Sequence, residues 1–95
     1  MIDFAGYSYP DNKATIACSH VLNGSPVLLF VHELDGDIQF MCGEAGHEPD
    51  DAHVVGLEHL LEHIRSMADI PVVEPGFMAE RSYPGAAWKI GAADG

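Results

Sequence analysis

Val27-Leu28-Leu29-Phe30-Val31-His32-Glu33-Leu34-Asp35-Gly36-Asp37-Ile38-Gln39-Phe40-Met41-Cys42 is the stretch that decides the fold. Residues 27–33 and 38–42 are rich in Val, Leu, Ile and Phe, which favour a pleated, half-buried surface, and Asp35-Gly36 between them is a strong hairpin signal. Upstream, residues 14–22 have the same β-like character, and Asn23-Gly24-Ser25-Pro26 supplies turn chemistry before the second run. The expectation is a three-stranded antiparallel meander. With two tight turns, Cys18 faces Val31 and Val31 faces Phe40, while His20 faces Leu29 and Leu29 faces Cys42. Alternation then puts Ile16, Cys18, His20, Leu22, Val27, Leu29, Val31, Ile38, Phe40 and Cys42 on one core face. The other face carries Ala17, Val21, Leu28, Phe30, His32 and Met41, too apolar to stand in water, so something is expected to cover it.

Outward from this unit, residues 1–13 are aromatic and turn-rich and read as an irregular arm. Residues 43–53 read as a polar loop. Leu57, Leu60, Leu61, Ile64, Met67 and Ala68 recur at helical spacing and predict a helix over about 56–68. Pro71 and Pro75-Gly76 break the chain, residues 77–82 read as a fourth, shorter strand, and residues 91–95 as a loose tail. The architecture expected is α+β, in the order β-β-β-α-β, as one domain over residues 1–95 with the helix packed on the sheet.

Composition narrows the function classes. The chain has 95 residues, 47% of them hydrophobic and 20% charged, which suits one folded core and leaves no room for a second large domain. Four Lys plus Arg stand against fifteen Asp plus Glu, a formal charge of −11. Such a surface repels phosphate backbones and anionic lipids and attracts a basic partner, so nucleic-acid and membrane binding are not expected. The start has no basic region and the apolar run at residues 27–31 is too short to span a bilayer, so a cytoplasmic protein is expected. Two cysteines make no disulfide framework.

Several clusters carry possible chemistry. Cys18, His20, Cys42 and His47 have the donor types zinc prefers, but a meander separates the first and third strands by about 10 Å, awkward for one tetrahedral ion. Placing those two strands side by side would reverse that objection. His59-Leu60-Leu61-Glu62-His63 spells the H-x-x-E-H pattern of inverted zinc peptidases, yet lies on the polar side of a short helix in a chain too small for that fold; an i, i+4 histidine pair also binds metal adventitiously. For nucleophilic catalysis only the two thiols offer themselves, and both fall on expected core faces, where inert thiols are the ordinary outcome. No glycine-rich phosphate loop or G-x-S-x-G elbow is present, so no cofactor is expected.

Val21-Leu22-x-Gly24-x-Pro26-Val27, Asp35-Gly36-Asp37-Ile38-Gln39-Phe40 with Gly43, and Pro75-x-Phe77-x-Ala79-Glu80-Arg81 together resemble a family of small bacterial proteins classed as a domain of unknown function and similar to the immunity proteins of polymorphic toxin systems. The resemblance spans roughly residues 14–82. Ile38 stands where many relatives carry Trp. The resemblance implies an α+β domain that acts by binding a protein, and it brings no catalytic residue with it. The expected function is therefore a non-enzymatic protein–protein interaction module with a basic protein partner. Glu44, Glu48, Asp50 and Asp51 would make its electrostatic contact, and Leu28, Phe30 and Met41 its apolar anchor. A homodimer is the other way to cover the second sheet face. The competing expectation, from a different class, is a zinc-type protein using the Cys and His residues.

Overall fold

The Asp35-Gly36 hairpin forms, but with a three-residue loop. In the computed structural model, which describes residues 1–42, 52–63 and 69–93, Glu33 N–H bonds to the Asp37 carbonyl and Gly36 N–H to the Glu33 carbonyl. Leu34-Asp35-Gly36 is thus the loop, with Gly36 at φ 95°. A two-residue type I′ turn needs positive φ at both central residues, and Asp35 does not adopt it. The extra residue slips the register by one. Strand β4 (Leu29–His32) pairs with β5 (Ile38–Met41) as Phe30 with Phe40 and His32 with Ile38.

A one-residue slip turns a strand over relative to its partner. Ile38, Phe40 and Cys42 are buried as expected, but Phe30 and His32, not Leu29 and Val31, point with them into the core. Strand β3 (Ala14–Cys18) likewise buries Thr15 and Ala17 and leaves Ile16 half-exposed. The expected core face is therefore corrected for two of its three strands.

The meander order is corrected as well. Strand β3 lies beside β5 and parallel to it, with Ala17 opposite Phe40, and β4 flanks β5 on the far side. The tight turn that would have folded β3 back on β4 is absent. The chain leaves β3 at Cys18 and enters a single helical turn, α1 (Ser19–Leu22), instead of continuing as strand to residue 22. Three further strands complete a six-stranded sheet in the order β6-β3-β5-β4-β7-β8. Strand β6 (Ala52–Gly56) falls where the polar loop was expected to reach residue 53; its Val54 is 77% exposed, an edge strand without an amphipathic signature. Strand β7 (Phe77–Glu80) matches the expected fourth strand, and β8 (Lys89–Ala92) occupies part of the expected loose tail. Apart from β3–β5, every pairing is antiparallel. The class is α+β, mostly sheet.

The apolar face that had to be covered is covered by the chain itself. Residues 1–13, expected to be irregular, form a hairpin of β1 (Ile2–Phe4) and β2 (Tyr7–Tyr9). Phe4 stands edge-on to both Phe30 and Phe40, with centroids 5.8 and 5.7 Å away, and Phe30 and Phe40 lie 5.2 Å apart. Such geometry adds to the burial of three large rings. Helix α2 (Leu57–His63) buries Leu57 and Leu60 in the same core, and Leu57 N–H bonds to the Lys13 carbonyl, tying the helix start to β3. Buried His32 donates through Nδ1 to the Val73 carbonyl at 2.7 Å, with Tyr7 edge-on at 5.0 Å. Among the described residues no helix is long and apolar enough to cross a membrane.

Tyr9 is 7% exposed and among the described residues its hydroxyl has no hydrogen-bond partner; burial, with a smaller contribution from Tyr7, raises its pKa above the ordinary 10.0. Stability linked to this group is intact below pH 10 and falls as pH rises through the raised value, because ionisation would place a charge in the core. Tyr9→Phe is expected to hold or slightly raise stability at pH 7 and to blunt the loss above pH 10, whereas Phe40→Ala is expected to lose about 3–5 kcal/mol in denaturant titrations.

Candidate metal centre

Because β3 and β5 run parallel as neighbours, their C-terminal ends reach the same end of the sheet at about 4.8 Å separation instead of about 10 Å. Cys18 closes β3 and Cys42 follows β5 by one residue; both are buried thiols, 1% and 2% exposed. Helix α1 then turns the chain so that His20, exposed on its outer side, comes to Cys42. The His20 Nδ1 lies 3.6 Å from the Cys42 Sγ. One ligand atom from each of Cys18, His20 and Cys42 lies within 4.8 Å of the other two. Had β3 run straight on to residue 22, His20 would have followed the sheet instead of folding over its end.

The geometry of that turn is set by Asn23-Gly24. Ser25 N–H bonds to the His20 carbonyl at 2.9 Å and Gly24 N–H to the Val21 carbonyl at 3.1 Å, the paired bonds of a Schellman stop, with Gly24 at φ 108°. The turn signal at these positions is genuine, but it ends a helix instead of closing a hairpin.

The remaining sequence candidates do not join this group. His59 and His63 sit on the exposed side of α2 with ring centroids 4.4 Å apart, and among the described residues no third donor meets them. His47 and the acidic residues Glu44, Glu48, Asp50 and Asp51 lie outside the described residues. Of the expected apolar anchor, Phe30 is 1% exposed and enclosed by the aromatic cluster, so it presents no surface to a partner; Leu28 and Met41 are half-buried.

A second feature adjoins the thiols. A cleft of about 670 Å³ has Leu28, Cys42, Glu80, Arg81, Ser82 and Lys89 in its wall. Leu28 N–H bonds to the Met41 carbonyl and Arg81 N–H to the Leu28 carbonyl, which extends the ladder one residue past the paired strands and brings Cys42, Leu28 and Arg81 to one end of the sheet. The Arg81 side chain is only 4% exposed. Its guanidinium lies 4.4 Å from the centre of the Trp88 ring, and Trp88 Nε1–H donates to the Asp69 carbonyl at 2.9 Å. Neither Arg81 nor Lys89 stands out in the sequence as a site residue. The available signal was scarcity, since they are two of only four basic side chains and they flank the single Trp.

Compared with protein-family models, with curated proteins and with solved structures, the chain gives no match.

A Cβ at position 24 would meet open space, so the effect of a side chain there is purely conformational. Gly24→Ala is expected to destabilise by about 1 kcal/mol and Gly24→Asn by less, because Asn tolerates the left-handed region better. Thermal melts of the two variants check the ranking.

Proposed function

We propose that this protein binds a zinc-type metal ion through Cys18, His20 and Cys42. The observation that carries the reading is the convergence of these three side chains from β3, α1 and the end of β5, with their ligand atoms within 4.8 Å. Zinc takes Cys sulfur at about 2.3 Å and His nitrogen at about 2.0–2.1 Å in a tetrahedron, which corresponds to an S···N edge of about 3.6 Å and an S···S edge of about 3.8 Å. The separation of His20 Nδ1 from Cys42 Sγ is 3.6 Å. Drawing the third donor into the same tetrahedron takes a side-chain adjustment of about 1 Å or less.

Donor chemistry favours the same ion. Two thiolates and one imidazole are soft-to-borderline ligands that select zinc over the hard, oxygen-seeking magnesium and calcium. Among the described residues three ligands converge, one fewer than the four of a closed tetrahedral site. In a chain of this size an ion bridging β3, α1 and β5 would contribute directly to stability, because it binds the folded state and not the dispersed ligands of the unfolded one.

Untagged protein purified without chelator is expected to carry one zinc per chain by elemental analysis. Stripping the metal should lower the melting temperature by about 10–20 °C, the shift corresponding to a ligand at a hundredfold its Kd in a domain of this length. Cys42→Ser and Cys18→Ser should each abolish stoichiometric zinc, whereas the His59→Ala, His63→Ala double variant should retain it. Protein that holds no metal after incubation with zinc, or whose double histidine variant loses it, would overturn the assignment.

A further inference from the structure

We propose that the cleft walled by Arg81, Ser82 and Lys89 is a binding site for a small oxyanion, a carboxylate or phosphate group. This goes beyond the metal reading and does not depend on it, although Cys42 belongs to both features.

Arg81 is a cation with part of its hydrogen-bonding capacity unused. The Arg81 side chain is almost wholly withdrawn from water, yet among the described residues its Nε and Nη2 have no hydrogen-bond partner. Buried polar atoms are nearly always paired, and a buried charge without hydrogen bonds is strongly unfavourable. Nε and Nη2 are the two atoms of one edge of the guanidinium fork, the edge that presents parallel N–H groups to the two oxygens of a carboxylate or phosphate. Both donors of a bidentate edge are thus left over together. The Asp69 carboxylate forms an ion pair with Nη2 at 3.7 Å, but at that length and with its side chain 64% exposed it does not fill the fork as a hydrogen-bonded partner would. Trp88 covers one face of the guanidinium and is itself held by the Asp69 carbonyl, so the ring fixes the plane of the fork without using its donors.

The surroundings are arranged for the same ligand. Lys89 adds a second positive charge and Ser82 a hydroxyl donor, with Glu80 in the wall and Asp69 beside Arg81 as the two neighbouring carboxylates. In a chain of formal charge −11, half of the basic side chains converge on this one cleft. Long-range repulsion from the acidic surface disfavours polyanions, while a small oxyanion that enters meets the two cations at close range. A volume of about 670 Å³ lies within the range of small-molecule sites.

The single Trp, stacked on Arg81, is a built-in reporter. The full-length protein is titrated with sodium phosphate or sodium acetate replacing sodium chloride at constant ionic strength, with Trp88 fluorescence and calorimetry as readouts, in metal-free and zinc-loaded forms. A saturable response is expected in both forms. Phosphate alone binding would identify a tetrahedral oxyanion, and acetate alone a carboxylate. Arg81→Lys should weaken binding roughly tenfold or more, because an ammonium cannot supply the fork, and Lys89→Gln several-fold. Asp69→Asn should leave binding intact or tighten it by removing a neighbouring negative charge. Absence of saturation with both anions, or wild-type affinity in Lys89→Gln, would overturn the proposal. So would weakened anion binding in Asp69→Asn at an unchanged melting temperature, since removal of a competing carboxylate cannot weaken an oxyanion held by the fork. Because Lys89 and Asp69 are exposed, these two variants decide the matter even if Arg81→Lys fails to fold.

Discussion

The parallel contact between β3 and β5 is the constraint on which the rest of the structure depends. It brings the carboxyl ends of two strands to one end of the sheet, and both cysteines stand at those ends. An antiparallel meander of the same segments would have placed β4 between them. It also frees β4 to pair with β7 on its other side, which carries Arg81 to the same end of the sheet as Cys42. A single choice of neighbour therefore assembles the thiol–imidazole group and the adjoining cationic cleft.

That choice rests on local chemistry at residues 19–25. The backbone N–H groups of Asn23, Gly24 and Ser25 are satisfied within a helical turn and its glycine stop, so they are not available to a hairpin, and the chain emerges displaced from β3. On the opposite face of the argument stands the aromatic cluster. Phe4 closes over Phe30 and Phe40, and the N-terminal hairpin thereby turns what would be an exposed apolar surface into the interior of the protein.

Much of the fold was legible in the residues. Alternating apolar runs identified β4, β5 and most of β3, the 3.6-residue period identified α2, and the excess of apolar side chains on both faces of the central strands required a cover. Register was not legible, because Asp-Gly serves both a two-residue turn and a three-residue loop with glycine at its left-handed position, and only the backbone of Asp35 distinguishes them. Edge strands β6 and β8 were invisible since a strand paired on one side and exposed on both faces has no hydrophobic period to read. Cys18, His20 and Cys42 were recognisable as zinc donors by type. Their convergence was not, since strand neighbourhood is a long-range property. Arg81 illustrates the remaining gap: an arginine near the C-terminus reads as a solvated charge, and nothing local to it announces that Trp88 and β7 will bury it.

The sheet order also has a kinetic meaning. Within the six-stranded sheet as described, β4 with β5 and β7 with β8 join segments close in the chain; the pairings that flank the centre, Ile16 with Val54 and Phe30 with Ala79, join segments far apart. Loops of this length must close before those contacts stabilise anything, so the β4–β5 hairpin is the natural nucleus and the two halves of the chain condense onto it from opposite sides. Neither half alone can complete the central four strands. The donors at the carboxyl ends of β3 and β5 span only residues 18–42, a shorter closure than either flanking pairing, so an ion bound there would clasp β3 to the hairpin before the outer strands dock.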